Sequence, residues 1–297
     1  MIHVLDLHFK QLPETIASFL IPLEHGVALV ETGPYATFPR LEAELHALGY
    51  SLDDVRYVFL THIHLDHAGA AWALAERGAT VYVHPFGEKH LLQPERLMQS
   101  ARRIYQDEMD SLWGDMRPIA PQNLITVGHG ERVDIGGRQL QAWHTPGHAV
   151  HHIVWQLENV AFTGDVGGVK IADHLVVPPC PPPDINVEDW EQSIRLLRSL
   201  DLEAMYLTHF GPVHAVSDHL SQLEEQLRSW ANWMLPFYEK QIPQEEITPL
   251  FQTFVANHLK EKGIDQLGLA QYEAANPSWM SVTGLLRYWS KKLEPSA

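Results

Sequence analysis

Residues 59–70, FLTHIHLDHAGA, carry three histidines and an aspartate within six positions, directly after an apolar run. The overlapping residues 57–61, YVFLT, are mostly aromatic or β-branched and carry no charge, which predicts a buried strand. Residues 66–78, DHAGAAWALAERG, combine helix-forming residues, apolar positions at helical spacing and a final glycine. The polar cluster is therefore predicted to lie in a turn between a strand and a helix.

The spacing of these side chains favours metal binding over a solvated turn without chemistry. His62 and His64 are two residues apart and point the same way from extended backbone, so both can bind one ion. Asp66 and His67 lie past the bend and face a slightly different point. Neutral imidazole and carboxylate groups suit zinc or iron. Two adjacent ligand sets predict two adjacent metals, which requires further ligands elsewhere in the chain.

The first hundred residues alternate predicted strands and helices, which is the pattern of a layered α/β fold. Residues 86–125 are polar and rich in Met and aromatic residues, and they are predicted to form a helical insertion. The remaining predicted elements are strands at 17–23, 26–32, 79–85 and 203–209, helices at 40–50 and 186–200, hairpins at 131–145 and 152–165, a proline-stiffened loop at 176–185, and helices from 215 onward.

Three more possible ligands stand at the ends of predicted strands. His148 closes the turn HTPGH, Asp165 ends FTGD, and His209 follows a strand in YLTHFGP. Taken singly, each is more often a surface residue. Together they supply three strand-end ligands in the order His, Asp, His, which is hard to obtain by chance.

These motifs resemble those of the metallo-β-lactamase-fold metallohydrolases, most closely the glyoxalase II-like and lactonase-like branch. THIHLDHAG, HTPGH, TGD and LTHFGP occur in the order typical of that family, over about residues 15–215. The resemblance implies an α/β fold, a four-layer αβ/βα sandwich with metals at one edge between two sheets. We predict a catalytic domain over 1–214 with a helical insertion at about 86–125, and a helical C-terminal extension over 215–297 that packs on it.

The resemblance also implies a ligand set for two divalent metal ions, most readily zinc, with iron or manganese as alternatives. A hydroxide held between the metals would be the nucleophile, and Asp66 and Asp165 would be the catalytic carboxylates. The first metal would take His62, His64 and His148, the second Asp66, His67 and His209, and Asp165 would bridge them.

The chain departs from the family pattern at two positions that bear on activity. The usual Asp-Thr-Gly is Glu31-Thr32-Gly33, a change that is expected to shift hydrogen bonds and leave the ligands intact. Acyl-homoserine-lactone lactonases carry a tyrosine where this chain has Gly168, and Tyr105 of the insertion is a possible substitute. We expect hydrolysis of a small lactone, ester or thioester. The alternatives are a phosphotriesterase or phosphodiesterase on the same site, and a sulfur (persulfide) dioxygenase with one iron.

Net charge, apolar runs and cysteine content limit the kinds of binding partner that this chain is expected to have. A formal net charge of −16 argues against a nucleic-acid surface, which needs clustered Lys and Arg. No signal peptide or membrane-spanning run is evident, so a cytoplasmic location and no membrane partner are expected. The lone Cys180 excludes an intrachain disulfide and a thiolate-rich zinc site. The expected partners are a small-molecule substrate and, in a possible homodimer, a second copy of the chain.

Aromatic and Met side chains of the insertion and the C-terminal helices allow two interpretations. They pack on the core or on a partner subunit, or they wall an apolar substrate pocket above the metals. The residues concerned are Met109, Trp113, Met116, Trp230, Trp233, Phe237, Trp279, Tyr288 and Trp289.

Overall fold

Two six-stranded sheets lie face to face between two layers of helices in the computed structural model, which describes residues 1–172 and 174–294. One apolar cluster fills the space between the sheets, a second lies under the N-terminal helices, and a third lies under the C-terminal helices. This is the four-layer αβ/βα sandwich that the family resemblance implies, so the fold prediction is confirmed.

The N-terminal half forms the first sheet, in the order β1-β2-β3-β4-β5-β6. Strands β3 to β6 run parallel, whereas β1, β2 and β3 pair antiparallel. Its elements are β1 (His3–Asp6), β2 (Ala17–Pro22), β3 (Val27–Val30), α1 (Phe38–Ala47), β4 (Val55–Phe59), α2 (Leu65–Ala68), α3 (Ala71–Ala75), β5 (Thr80–Val83), α4 (Pro85–Leu92), α5 (Glu95–Tyr105), α6 (Met109–Leu112) and β6 (Leu124–Thr126).

The C-terminal half forms the second sheet, in the order β12-β11-β10-β9-β8-β7, and all the helices of the extension. Within this sheet, β10 and β11 pair in parallel, and the other neighbouring strands pair antiparallel. Its elements are β7 (Arg132–Asp134), β8 (Gln139–His144), β9 (Ile153–Leu157), β10 (Val160–Phe162), α7 (Val187–Ser199), β11 (Ala204–Leu207), β12 (Gly211–Val213), α8 (Val216–Glu239), α9 (Gln244–Glu261), α10 (Gln266–Ala275) and α11 (Ser278–Leu293).

Most predicted elements appear at their expected places, including the helix over 187–199, whose Asn186 side chain accepts a hydrogen bond from the Asp189 amide. The single helix predicted over 66–78 is wrong, since it is divided into α2 and α3. The Ala70 amide donates to the Gly33 carbonyl outside the helix, 3.0 Å away, which interrupts the helical ladder. The short edge strands β1 and β12 were not predicted, and the end of the predicted helical insertion is the strand β6.

The extension packs against the outer face of the second sheet. Trp230, Phe251 and Leu285 are buried in one cluster with Val154 and Met205 of that sheet. The predicted boundary at residues 214 and 215 falls between β12 and α8, and the division into two domains stays a prediction. Within the described ranges, we find no helix whose length and apolar character together would allow it to cross a membrane.

One buried side chain ties the two sheets together beside the histidine-rich turn. Trp155 of β9 is fully buried, stacks edge-on to Phe59 of β4, and donates from Nε1 to the Leu60 carbonyl 2.9 Å away. This contact crosses from the second sheet to the first at the point where β4 ends.

We predict that Trp155→Phe lowers the free energy of unfolding by about 1–2 kcal/mol, because the buried Leu60 carbonyl loses its hydrogen-bond donor. The substitution keeps an aromatic ring at this position. Urea unfolding measures this change. Trp143→Phe is the control, since the half-buried Trp143 donates to the Gln156 side chain, which can turn to water instead. Equal unfolding free energies for the wild type and Trp155→Phe would contradict the prediction.

Candidate metal centre

All seven predicted site residues lie at one edge of the sandwich. His62 and His64 follow β4, and Asp66 and His67 belong to the short helix α2. The others follow strands of the second sheet, namely His148 after β8, Asp165 after β10 and His209 after β11. Ligand candidates that are far apart in sequence therefore meet because strands of both sheets end at the same edge.

The first group of possible ligand atoms comes from His62, His64, His148 and Asp165, and these atoms lie within 4.8 Å of one another. Nδ1 of His64 is 2.9 Å from Nε2 of His62 and 3.1 Å from Nε2 of His148. Three imidazole nitrogens thus converge on one point, with a carboxylate beside them.

The second group comes from Asp66, His67 and His209, again within 4.8 Å of one another. Asp165 lies between the two groups. Its Oδ1 is 3.2 Å from Nε2 of His67 and 3.3 Å from Nε2 of His209, while its Oδ2 is 3.3 Å from Nε2 of His148. One carboxylate therefore faces histidines of both groups.

The far nitrogen of several of these imidazoles has a protein partner, which leaves the near nitrogen directed at the centre. His148 donates from Nδ1 to the Pro179 carbonyl at 2.9 Å, and His209 donates from Nδ1 to the Thr15 carbonyl at 2.6 Å. Nδ1 of His62 is 3.0 Å from the Thr61 hydroxyl. Metal-binding histidines are held in this way, since the second nitrogen fixes the ring orientation and tautomer.

Buried atoms at the centre lack conventional partners among the described residues. Nε2 of His67, Nε2 of His209 and Oδ1 of Asp165 are buried and face one another at 3.2–3.3 Å without the geometry of a hydrogen bond. Such atoms cost free energy unless a partner satisfies them. A cation between these nitrogen and oxygen atoms would satisfy all of them, so the residues present fit a metal centre.

Glu31, where the family usually has aspartate, contacts the nitrogen of His67 that faces away from the other ligand candidates. Its buried carboxylate accepts hydrogen bonds from the Thr61 hydroxyl and, at 3.3 Å, from the Thr61 amide. The same Oε1 is 3.3 Å from Nδ1 of His67. Glu31 thus contacts both Thr61 and His67, and the effect of having glutamate here in place of aspartate stays a prediction.

Burial and charge shape the protonation of the metal-free cluster. Burial lowers the pKa of His62 well below its usual value, and the neighbouring histidines lower it further. Burial also lowers the pKa of His209, but the carboxylates of Asp165 and Asp66 outweigh it and raise this pKa to about 9. Burial raises the pKa of Asp165, yet His67, His148 and His209 together hold it well below the usual value.

A cavity of about 1080 Å³ opens above the cluster, with His64, Asp66, Asp165 and His209 at its base. The insertion and the C-terminal extension supply much of its wall, including Leu97, Ile104, Tyr105, Trp113, Trp279 and Met280. The pocket interpretation thus holds for Trp113 and Trp279. It is wrong for Trp230, which is buried in the core between the second sheet and the extension.

Three other histidines lie near the cluster but outside both ligand groups. His151 lines the cavity, whereas His152 is buried with its ring 5.1 Å from that of His62. His152 also accepts at Nε2 from the Val166 amide, 3.4 Å away, next to Asp165. His144 contacts the Val150 carbonyl through Nε2 at 2.9 Å and so braces the turn that carries His148. The supporting Pro179 and Thr15 carbonyls were not predicted, because backbone groups leave no sequence signal.

A tyrosine at position 168 would be strained in this structure. Gly168 has a φ of +82°, and a Cβ there would lie 2.8 Å from side-chain atoms of Leu223 and Val176. Tyr105 of the insertion does line the cavity, with its hydroxyl 3.3 Å from the Met280 sulfur. Cys180 is buried, which raises the pKa of its thiol and agrees with an inert role.

The family model of the metallo-beta-lactamase superfamily matches residues 13–209, which include every one of the seven site residues. The chain belongs to the metallo-beta-lactamase superfamily. Members of this superfamily bind metals, and the histidine–aspartate cluster is where this chain would do so. The individual ligand roles, the number of ions and their identity stay predictions.

Similar proteins support the family and the fold. The chain is 30% identical to the metallo-beta-lactamase fold-containing protein ST1585 of Sulfurisphaera tokodaii over 178 residues, which are 58% of this chain and 67% of that protein. It is 31% identical to hydroxyacylglutathione hydrolase GloC of Haemophilus influenzae over 155 residues, 50% of this chain and 66% of GloC. The structure of TTHA1429 from Thermus thermophilus superimposes with a TM-score of 0.64 at 22% identity, covering 98% of this chain and 93% of that one.

We predict that Asp165→Ala lowers the metal content per chain more than alanine at any single histidine of the cluster. Asp165 faces both ligand groups, so its loss removes a ligand from each and leaves two cations to repel one another without a carboxylate between them. Metal analysis after dialysis measures the content. Asp184→Ala is the control, because Asp184 lines the same cavity outside both groups. An Asp165→Ala variant that keeps the wild-type metal content would show that Asp165 is not a shared ligand.

We also predict that metal binding releases protons and weakens as the pH falls. Because the pKa of His209 is raised to about 9 in the metal-free protein, this imidazole carries a proton at neutral pH that a metal must displace. The affinity should therefore fall about tenfold per pH unit for each proton released, and level off above the pKa. Calorimetric titration in buffers of different ionisation enthalpy counts the protons. An affinity that is flat from neutral pH to about pH 9 would contradict the raised pKa.

Proposed function

We propose that this protein is a dinuclear metal-dependent hydrolase of an ester-type bond, in a lactone, ester or thioester that carries an apolar group. The observation that carries the proposal is the position of Asp165, between two groups of potential ligands at the base of a large, mainly apolar cavity. Two divalent ions, most readily zinc, would be held by His62, His64, His148, Asp66, His67 and His209, with Asp165 shared between them.

The chemistry divides between the ions and the chain. When bound, the two ions would supply Lewis acidity and lower the pKa of water to near neutrality. Asp66 is a partly exposed member of the second ligand group at the base of the cavity, and it would orient the attacking water. The cavity wall would hold the acyl group, so that water adds to the carbonyl carbon and the bond to the leaving oxygen or sulfur breaks.

The relatives support a hydrolytic reaction. GloC is named as a hydroxyacylglutathione hydrolase, and YqjP of Bacillus subtilis, 25% identical over 226 residues, is named as a probable metallo-hydrolase. The apolar side chains of the cavity wall favour a substrate with an apolar group. Small-molecule sites usually have mostly apolar walls and a few polar groups.

The test is a hydrolysis panel on protein of defined metal content. The chain is stripped with a chelator, reloaded with zinc, manganese or iron, and assayed on lactones, thioesters, aryl esters and phosphotriesters. We expect about two ions per chain and turnover of carbonyl esters that is lost on stripping and returns on reloading. A clear preference for phosphotriesters would replace the proposal by the phosphotriesterase alternative. One iron per chain with oxygen uptake would replace it by the dioxygenase.

We predict that Trp113→Ala and Trp279→Ala change the preference between short and long acyl esters, because both rings line the cavity and neither lies in a ligand group. Removing one apolar wall contact should alter the ratio of the two kcat/KM values by about 1–3 kcal/mol, or roughly 5- to 150-fold. Metal content should stay at the wild-type level.

Trp233→Ala is the matched control for these two variants. Trp233 is also half-buried among aromatic rings, but it packs against Phe254 and Phe237 of the extension and does not line the cavity. If both wall variants keep the wild-type ratio of kcat/KM values, these tryptophans serve packing alone.

A further inference from the structure

The C-terminal extension, which lies beyond the part of the chain that matches the family model, is in direct contact with the loop that supports one of the metal-binding histidines. That loop, residues 178–180, runs between the second sheet and the helices α10 and α11. Its central carbonyl, on Pro179, accepts the hydrogen bond from Nδ1 of His148 at 2.9 Å. The orientation of His148 therefore depends on where this carbonyl lies.

Two side chains of the extension hold the residues on either side of Pro179. Asn276 donates from Nδ2 to the Pro178 carbonyl at 3.3 Å, and the Cys180 amide donates to the Ser281 hydroxyl at 3.3 Å. The Ser281 hydroxyl in turn donates to Oδ1 of Asn276 at 3.0 Å. All three bonds are buried, so water cannot replace them at low cost.

A close backbone contact fixes the same loop from the side. A Cβ placed on Gly284 of α11 would lie 2.0 Å from the Cys180 carbonyl oxygen and 2.9 Å from the Pro181 carbonyl carbon. The helix and the loop can therefore approach this closely only with glycine at position 284. Any side chain there would force α11 and the loop apart.

Further contacts from the extension reach the neighbouring segments. The Tyr272 hydroxyl donates to the Leu175 carbonyl at 2.6 Å, ahead of the loop. Nε2 of His219 on α8 is 2.7 Å from the Gly167 carbonyl, in the turn that carries Asp165. The His219 side chain is buried at this contact.

We propose that the C-terminal extension is a working part of the metal site, in which Asn276, Ser281 and Gly284 are positioning residues for His148. They hold residues 178–180 so that the Pro179 carbonyl orients the His148 ring with Nε2 toward the first ligand group. This inference rests on the proposed metal site and adds that binding at the first group depends on residues outside the family's own motif region.

The test compares metal affinity in Asn276→Ala, Ser281→Ala and Gly284→Ala with the wild type. We expect the affinity of one of two ions to fall about tenfold or more in the alanine variants of Asn276 and Ser281, as for other residues that support a ligand from behind. Gly284→Ala should retain about one ion per chain after dialysis. Chelator competition measures the affinity, and the absorption spectrum of cobalt(II)-loaded protein reports the ligand geometry, so neither readout depends on catalysis.

Trp289→Phe is the matched control, because Trp289 also lies on α11 and donates a buried hydrogen bond to a backbone carbonyl, that of Ala231 at 2.8 Å. Its loss should destabilise the extension to a similar degree without touching residues 178–180. We expect all the variants to unfold at lower temperature, while only those at 276, 281 and 284 lose metal affinity and change the cobalt spectrum.

Three outcomes would overturn the inference. If the wild type binds two ions and the variants bind them equally well with an unchanged spectrum, the extension does not position His148. If Trp289→Phe loses affinity as much as Ser281→Ala, the effect is general destabilisation. A wild-type chain that binds no metal would overturn the proposed function itself, and this result is distinguishable because it needs no variant.

Discussion

The buried carboxylate of Asp165 is the interaction on which the rest of the site depends. It lies within 3.3 Å of nitrogen atoms of His67, His148 and His209, which come from different turns of both sheets. Closely packed buried imidazoles tolerate a charge only with a counter-charge beside them. The carboxylate supplies that charge in the metal-free protein, and its two oxygens face histidines of both ligand groups.

The fold brings Asp165 to this point through close contacts between the sheets. Gly164 precedes it with a φ of +47°, and a Cβ there would lie 2.4 Å from the Thr61 hydroxyl. The Ile153 amide donates to the Thr61 carbonyl at 2.7 Å, beside the bond from Trp155 to Leu60. The turn after β4 and the turn after β10 are thus fastened to one another, and the two ligand groups cannot separate without breaking the junction of the sheets.

The structure separates the groups that would bind metal from those that would choose the substrate. The ligand candidates lie on short turns held by both sheets, whereas the cavity wall comes from the insertion and the extension. These two segments meet above the cluster, where Tyr105 contacts Met280 and the ring of Trp279. The extension has a second role on its other side, where it holds the loop behind His148. A change in this region can therefore alter substrate preference through the wall or metal binding through the loop.

The local sequence determined the order of strands and helices and the candidate ligand residues. The tertiary structure decided which aromatic side chains are buried and which backbone groups contact the candidate ligands. Alternation of apolar residues, turn residues and strand-end ligands was enough to predict the layered fold and the seven residues from His62 to His209, because each signal lies within a few neighbouring positions. It could not place Trp230 in the core and Trp279 in the cavity, since both are aromatic residues on helices of similar pattern. The contacts of Pro179 with His148 and of Gly284 with Cys180 were also beyond reach, because they depend on backbone atoms of segments that are distant in sequence and meet only in the folded chain.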